Sequence, residues 1–309
     1  MIFDLFLLVV GCTLLYFGAD RVVRHAFTLG SRLRLSPAVT GLVIVAVGTS
    51  LPELAVSVDA AIHGHGAIAI GNVVGSNIVN ITLVIGAGAL LTSLAPNSEL
   101  LERDLPVLVV VTLLAVWMLA DGSLGRLEGA ALLLTITAFL AYRVLRQPDV
   151  LTPVHAGRSE SDAGTGRVTV GLAVGLVLLI AGAEAMVASA TGLARDFGVS
   201  EAVIALTVTA IATGIPEIAA TLVAIKRGHT ELALGNIVGS NLINLGVVLG
   251  LTGAIAPVVG ASIGFVALAM LVGMTLLLWA LLMLLPLVHR WTGFTLLALF
   301  GAYQVAIVA

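Results

Sequence analysis

Two glutamates, Glu53 and Glu217, each follow directly after a proline inside a long apolar stretch of the chain. A carboxylate at the centre of a membrane helix costs at least about 2.5–3.5 kcal/mol on insertion scales. No basic residue lies at a comparable depth of any apolar stretch to pair with them. A protonated glutamate that only bonds a neighbouring helix is the structural alternative. The chain contains both glutamates despite this free-energy cost of insertion, so we expect them to bind cations.

The residues before each glutamate add further oxygen atoms. Pro52 and Pro216 have no amide N–H and clash with the preceding turn, so the helix must kink or open there. Thr49 and Ser50 lie four and three residues before Glu53, on the same helix face. The kinks are expected to free backbone carbonyls that can turn toward a cation, at Ala46, Thr49, Ala210 and Thr213.

A second polar element follows each glutamate. Asn72, Ser76 and Asn80 are spaced four residues apart and therefore line one face of a helix, and the stripe recurs at Asn236, Ser240 and Asn244. Interhelical hydrogen bonding is the alternative interpretation of these stripes. Hard cations prefer such oxygen-only surroundings, so the set predicts a site for one Ca²⁺ or several Na⁺. The sequence holds no cysteine cluster or paired-histidine motif for zinc or copper.

The chain contains the whole arrangement twice. Residues 41–86 align with residues 205–250 at a constant offset of 164 without a gap, and 19 of the 46 aligned positions are identical. The same offset aligns Gly18-Ala19-Asp20 with Gly182-Ala183-Glu184. We conclude that an entire half of the chain is duplicated, not the motif alone.

The composition places these elements in a lipid bilayer. Of the 309 residues, 60% are hydrophobic and 10% charged, where soluble domains have about 25% charged residues. The net charge of −3 argues against a nucleic-acid partner, and no obligatory protein partner is evident. The lone Cys12 cannot form an internal disulfide. The first apolar run lacks a basic flank and a cleavage site, so we expect a retained membrane helix there.

We predict an all-α polytopic membrane protein with ten transmembrane helices in two inverted five-helix repeats. Residues 1–146 form the first repeat, 147–167 a polar cytoplasmic linker, and 168–309 the second repeat. The predicted spans are 2–20, 37–61, 67–93, 105–120, 127–146, 168–190, 201–225, 231–256, 262–285 and 291–308. The acidic residues Glu99, Glu102 and Asp104 are expected to be ordinary loop residues.

Lysine and arginine predict the orientation, because cytoplasmic loops carry an excess of them. With both termini outside, 12 of the 14 basic residues fall inside, and only Arg126 and Arg195 fall outside. Five helices is an odd number, so the second repeat enters the membrane from the opposite side. Inverted repeats of this kind are typical of secondary transporters.

The duplicated elements resemble the signature of the calcium/cation antiporter superfamily, specifically the prokaryotic sodium/calcium exchangers. The residues that carry the resemblance are Gly48 to Glu53 and Ala212 to Glu217, followed by Gly71 to Asn77 and Gly235 to Asn241. The resemblance covers essentially the full length. It implies an antiporter, not an enzyme, with Ca²⁺ and Na⁺ as transported ions and no cofactor. It also implies that the first and sixth helices slide across the core.

The resemblance further implies four cation sites around Glu53 and Glu217, the shared ligands of Ca²⁺ and Na⁺. The other implied ligands are the side chains of Thr49, Ser50, Ser76, Asn80, Thr213, Ser240 and Asn244 and the carbonyls of Ala46 and Ala210. Two positions depart from the pattern. Gly214 stands where the first repeat has Ser50, and Asn244 stands where some members carry an aspartate. We expect calcium binding to survive and the sodium sites to be less complete.

These residues predict an antiporter of the plasma (inner) membrane that exchanges Ca²⁺ against Na⁺. A proton-coupled H⁺/Ca²⁺ exchanger of the same fold is the alternative, because a buried glutamate can exchange H⁺ for a cation. A passive cation channel and an intramembrane hydrolase are the other classes. The inverted repeat disfavours the channel, and two acids in matching inverted positions fit ion binding better than hydrolysis.

Overall fold

A computed structural model describes residues 1–146, 164–198, 211–260 and 264–308. These residues form helices and no β-strand. Seven helices are long and apolar enough to cross a membrane, and a bent pair can make an eighth span. The helices are α1 Ile2–Arg32, α2 Pro37–Thr49, α3 Leu51–Ile62, α4 Gly66–Leu91, α5 Leu100–Asp121, α6 Arg126–Leu145, α7 Thr165–Asp196, α8 Ile215–Lys226, α9 Thr230–Ile255, α10 Phe265–Leu284 and α11 Arg290–Val308.

The predicted all-α membrane architecture is confirmed, while the count of ten spans in two repeats stays a prediction. The first ten residues of the predicted span 201–225, residues 201–210, lie outside the described residues. The predicted limits of the first and sixth spans, 2–20 and 168–190, are too short. Helix α1 continues to Arg32 because its second half, although it carries charged residues, also buries Val22, Val23 and Ala26.

Helices α4 and α9, which carry the two polar stripes, lie at the centre of the molecule. In their most apolar windows, 78% of α4 and 94% of α9 are buried, against 22% for α1, α6 and α7. Helix α2 packs directly on α9, where a Cβ added at Gly235 would lie 2.0 Å from the carbonyl oxygen of Ala38. Glycine is therefore needed at Gly235 for the backbones to approach.

Helices α1 and α7 pack against each other through two pairs of glycines that occupy equivalent positions of the two repeats. Gly11 contacts the backbone at Gly182, and Gly18 contacts the backbone at Gly175. The order of these contacts makes the two helices antiparallel. Adding 164 to the number of Gly11 gives Gly175, and subtracting 164 from Gly182 gives Gly18, so the sequence offset converts one pair into the other.

Two further sets of contacts follow the same rule. Gly86 of α4 meets Gly293 of α11, and Gly129 of α6 meets Gly250 of α9. Between the helices, the backbone of Leu94 pairs with Val288 and that of Leu124 with Val258. Equivalent residues of the two halves therefore make equivalent contacts, and these contacts are related by the same offset of 164 as the sequence alignment.

Both stripe helices contain a π-helical turn at equivalent positions, Asn80–Val84 in α4 and Asn244–Val248 in α9. Such turns add a residue to the helical repeat and occur frequently at functional sites. Here they begin at Asn80 and Asn244, the last residue of each stripe.

The expectation that Asp104 is an ordinary loop residue is wrong. Asp104 lies in the first turns of α5 and is completely buried beside Arg143 of α6, with 2.7 Å between Oδ1 and Nε. The Arg143 side chain also contacts Glu99 at 3.1 Å. Asp104 could enter the interior because a cation from another helix pairs with its charge.

Candidate cation site

The first glutamate lies at a break in the helix. Helices α2 and α3 meet at Ser50 with a bend of 45°. Pro52 and Glu53 both occupy the first turn of α3. Because a proline lacks the N–H that would continue the preceding helix, the predicted kink at this position is confirmed.

The second glutamate occupies the equivalent place. Gly214 precedes α8, and Pro216 and Glu217 lie in its first turn. Ser50 and Gly214 share a similar backbone conformation, with φ and ψ of −82° and 7° at Ser50 and −78° and −4° at Gly214. The two acids therefore stand at matching positions of two matching half-helices.

Both carboxylates are completely buried, with 0% exposure. Ser50 Oγ donates a hydrogen bond of 3.4 Å to Glu217 Oε1, across from the other half of the chain. Among the described residues, neither carboxylate oxygen of Glu53 has a hydrogen-bond partner, nor does Oε2 of Glu217. Three buried acceptor atoms of high charge density are thus available to a ligand.

The surrounding hydroxyls come mainly from the opposite half of the chain. The hydroxyl of Thr213 lies near Glu53, and those of Thr49, Ser50 and Ser240 lie near Glu217. Only the Ser50 contact has the geometry of a hydrogen bond. The two carboxyl groups also interact electrostatically with each other. A ligand that reaches one glutamate therefore lies within the field of both.

Two hydrogen-bonded chains join the halves of the molecule. Thr213 Oγ1 donates to Asn72 Oδ1 at 3.3 Å, and Asn72 Nδ2 donates to Ser57 Oγ at 2.9 Å. The second chain is the symmetric counterpart, running from Thr49 to Asn236 at 3.5 Å and from Asn236 to Thr221 at 3.1 Å. Each chain links the broken helix of one half to the stripe helix of the other.

The other two residues of each stripe, Ser76 and Asn80 in α4 and Ser240 and Asn244 in α9, are also buried. Ser76 Oγ lies 3.2 Å from Thr213 Oγ1, and Asn80 Nδ2 donates to Asn241 Oδ1 at 3.2 Å. Ser240 and Asn244 are 0% exposed, and their side-chain polar atoms have no hydrogen-bond partner among the described residues. Buried polar atoms without partners are uncommon and call for an explanation such as a bound ion.

The predicted backbone ligands have a different outcome. The carbonyl of Ala46 accepts the N–H of Ser50 at 3.0 Å and lies 3.4 Å from the Thr49 hydroxyl. The expectation that the proline frees this carbonyl is therefore wrong, because the helix closes its last turn just before the break. A second lone pair remains on the oxygen. Ala210 lies outside the described residues.

The described contacts place Thr49, Ser50, Ser76, Thr213 and Ser240 around the two glutamates, with the Ala46 carbonyl beside Thr49. Asn80 and Asn244 are buried farther along the stripe helices, and Ala210 lies outside the described residues.

Asn72 and Asn236 were predicted in the polar stripes but are not among the ligands that the resemblance implies, and Asn241 was predicted in neither group. Asn72 and Asn236 begin the stripes, and their hydrogen bonds are the interhelical alternative considered from the sequence. The side-chain oxygen of Asn241 accepts a hydrogen bond from Asn80 Nδ2. No local pattern reveals this contact, because the two residues are 161 positions apart.

The side chains of the site suit a hard cation. It presents two carboxylates together with hydroxyl and amide oxygens, and neither glutamate forms an ion pair with a described basic residue. No cluster of three or more His, Cys, Asp or Glu occurs in the described residues. Oxygen ligands of mixed charge and neutrality suit Ca²⁺ and Na⁺ rather than softer metals.

Comparison with known proteins supplies independent evidence. The family model described as "Sodium/calcium exchanger protein" matches residues 3–145 and again residues 167–309. The putative antiporter CaxA of Alkalimonas amylolytica is 44% identical over 80% of this chain and 79% of its own length. The inner membrane protein YrbG of Escherichia coli is 35% identical over 81% of this chain and 79% of its own.

A solved structure gives the same picture of the fold. The sodium-calcium exchanger NCX_Mj, soaked with 10 mM Na⁺ and zero Ca²⁺, superimposes with a TM-score of 0.86. The match covers 99% of both chains at 28% sequence identity.

Proposed function

The chain belongs to the sodium/calcium exchanger family, and we propose that it exchanges Ca²⁺ against Na⁺ across the membrane with cations bound between its two halves. Membership makes it a transmembrane ion antiporter of the cation/Ca²⁺ class. CaxA is named an antiporter and NCX_Mj a sodium-calcium exchanger, which supports the same two ions here.

The observation that carries the proposal is the pair of buried glutamates at two helix breaks. Together they supply a charge of −2, which one Ca²⁺ or two Na⁺ would balance. Ca²⁺ and Na⁺ would therefore compete for Glu53 and Glu217, since binding both together would leave excess positive charge in a buried site. Competition of this kind couples the two ions, because each must leave before the other binds.

The remaining ligands would complete the coordination without changing this charge. We assign this role to the side chains of Thr49, Ser50, Ser76, Asn80, Thr213, Ser240 and Asn244 and to the carbonyls of Ala46 and Ala210. The C-terminal end of α2 meets the site at its break, and the negative end of its dipole favours a cation there.

Access to the site would alternate between the two membrane faces. We propose ten helices in two inverted five-helix repeats, 1–146 and 168–309, joined by the linker 147–167. The reciprocal contacts between equivalent glycines support this symmetry. Helices α1 and α7 are as little buried as α6 and pack mainly on each other. They would slide as a pair across the core that holds the cations.

A second candidate function is H⁺/Ca²⁺ exchange on the same site, and the surroundings of Glu53 favour it. Its carboxylate lacks the serine that donates to Glu217, because the equivalent position is Gly214. A carboxylate oxygen that no hydrogen-bond donor occupies can bind a cation or, in exchange, a proton.

Calcium uptake into everted membrane vesicles separates the two functions. Under the Na⁺/Ca²⁺ proposal, an outward sodium gradient drives uptake at constant pH, while a pH gradient without sodium does not. Uptake driven by the pH gradient alone and indifferent to sodium would reject sodium coupling in favour of proton coupling. Calcium flux that needs no gradient of a second ion would reject antiport altogether.

We place the protein in the plasma (inner) membrane, with both termini outside and the central linker in the cytoplasm. YrbG is named an inner membrane protein, which supports this location. The distribution of basic residues, 12 inside and 2 outside, supports the orientation.

A further inference from the structure

A basic cavity between α1 and α7 is separate from the cation site. It has a volume of about 640 Å³, and the charged or polar side chains that line it are Arg21, Arg24, His25 and Thr28 of α1, Arg167 of α7 and Asp20 of α1. Three arginines and one aspartate leave the lining with a net positive charge. Asp20 is further neutralised by Arg227, which binds it from the turn after α8.

Two of these arginines are available to a ligand. Arg21 and Arg167 are exposed, and within the part of the chain that the structure describes no side-chain ion pair or hydrogen bond occupies either of them. They belong to different helices, and both line the cavity. An anion placed between them would therefore neutralise both charges and bridge α1 to α7.

Exposed apolar side chains of both helices also line the cavity. Phe17 is 51% exposed, Val174 is 44% exposed and Val170 is 62% exposed. In a membrane helix, such side chains face lipid. The cavity therefore combines cationic and apolar lining side chains, which matches a molecule with an anionic headgroup and a hydrocarbon chain.

His25, which also lines the cavity, packs against α7. A Cβ on Gly171 would lie 2.2 Å from its Nε2, so the ring rests directly on the α7 backbone. Its other nitrogen, Nδ1, lies 2.8 Å from the carbonyl oxygen of Arg21. The ring therefore joins α1 to α7 within the cavity.

From this geometry we infer that the cavity is a binding site for an anionic phospholipid, with the phosphate between Arg21 and Arg167 and an acyl chain along Phe17 and Val174. Basic pockets between membrane helices bind such headgroups. In the proposed orientation, Arg21 and Arg167 lie on the cytoplasmic side of the membrane, so the cavity lies at the cytoplasmic leaflet. A lipid held there would contact both helices that are proposed to slide.

The test compares lipid binding to purified full-length protein by native mass spectrometry, using phosphatidylglycerol and phosphatidylcholine as probes. Wild type should prefer phosphatidylglycerol, and the double variant R21Q/R167Q should lose this preference. Each arginine is expected to contribute about fivefold to the affinity. The matched control is R146Q/R290Q, which removes the same charge from exposed residues outside the cavity.

Three results would overturn the inference: R21Q/R167Q retains the preference, the control loses it equally, or inorganic phosphate at millimolar concentration displaces the lipid. The last result would assign the site to a free phosphate. The measurement does not depend on transport, so its failure would leave the proposed exchange intact. The four substituted arginines are exposed, and melting temperatures close to that of wild type would show that both variants fold.

Discussion

At the scale of single residues, the site is asymmetric although its scaffold is symmetric. Ser50 donates to Glu217, whereas Gly214 offers no side chain to Glu53. The symmetric hydrogen-bonded chains through Asn72 and Asn236 hold both halves in the same geometry. The missing hydroxyl is therefore a difference in ligands and not in shape.

Replacing Gly214 by serine should restore the missing oxygen. A Cβ at this position would lie 3.3 Å from Val79 Cγ1 and 3.6 Å from the carbonyl oxygen of Ile211, so a small side chain fits after a slight shift. One added hydrogen bond or ligand predicts sodium binding that is about two- to tenfold tighter. The measurement is the sodium concentration that displaces half of the bound calcium.

Gly214→Ala is the matched control, because it adds the Cβ without the hydroxyl. We expect its sodium dependence to remain that of wild type. If alanine tightened sodium binding as much as serine, the effect would come from packing and the ligand explanation would be wrong.

Sequence patterns predicted the acids and the stripes because their spacing is local. A proline before a buried glutamate and polar residues four apart are features of one helix. The burial of Asp104 with Arg143 joins residues 39 apart on different helices, and the contact of Asn80 with Asn241 joins the two halves. Such contacts depend on how helices pack, which periodicity within one helix does not contain.

At the scale of helices, close backbone contact at glycines fixes the pair α1 and α7. Sequence alone predicted their duplication and apolar character but not their full lengths. Charged residues beyond position 20 indicated the end of the first span, whereas packing on the neighbouring elements carries α1 on to Arg32. The glycine contacts themselves become visible only when both helices are in place.

A larger side chain at Gly18 should therefore separate α1 from α7. A Cβ there would lie 2.6 Å from the backbone nitrogen of Leu179, which cannot move independently of its helix. We expect Gly18→Val to destabilise the protein by about 1–3 kcal/mol or more, as overpacking does, and to abolish exchange. The measurements are thermal unfolding in detergent and calcium uptake.

Gly273→Val provides the comparison, since Gly273 also lies within a membrane helix but has no atom within 4 Å of its Cβ position. Both variants carry the same change in helix propensity. An equal loss of stability in the two variants would contradict the close contact at Gly18.

At the scale of the whole molecule, an inverted duplication places equivalent turns on opposite sides of the membrane. His63 lies in the turn between α3 and α4, and Lys226 ends α8 before the turn to α9. In the proposed topology, His63 lies outside and Lys226 inside. A parallel duplication would instead put both turns on the same side.

Cysteine labelling tests this arrangement, because replacing Cys12 by alanine removes the only cysteine of the chain. In intact cells, a membrane-impermeant maleimide should label His63→Cys and should reach Lys226→Cys only after permeabilisation. Equal labelling of both positions in intact cells would exclude the inverted topology, and exchanged labelling would reverse the orientation.

Calcium binding to purified Glu53→Gln and Glu217→Gln, measured by isothermal titration calorimetry, shows most directly whether the two glutamates hold the transported ion. Each change keeps the size of the side chain but removes a ligand charge, so we expect binding to weaken by about 100-fold or more. Glu102→Gln, which removes an exposed carboxylate outside the site, should bind like wild type. Folded glutamine variants that still bound calcium with wild-type affinity would show that these two glutamates do not hold the transported ion.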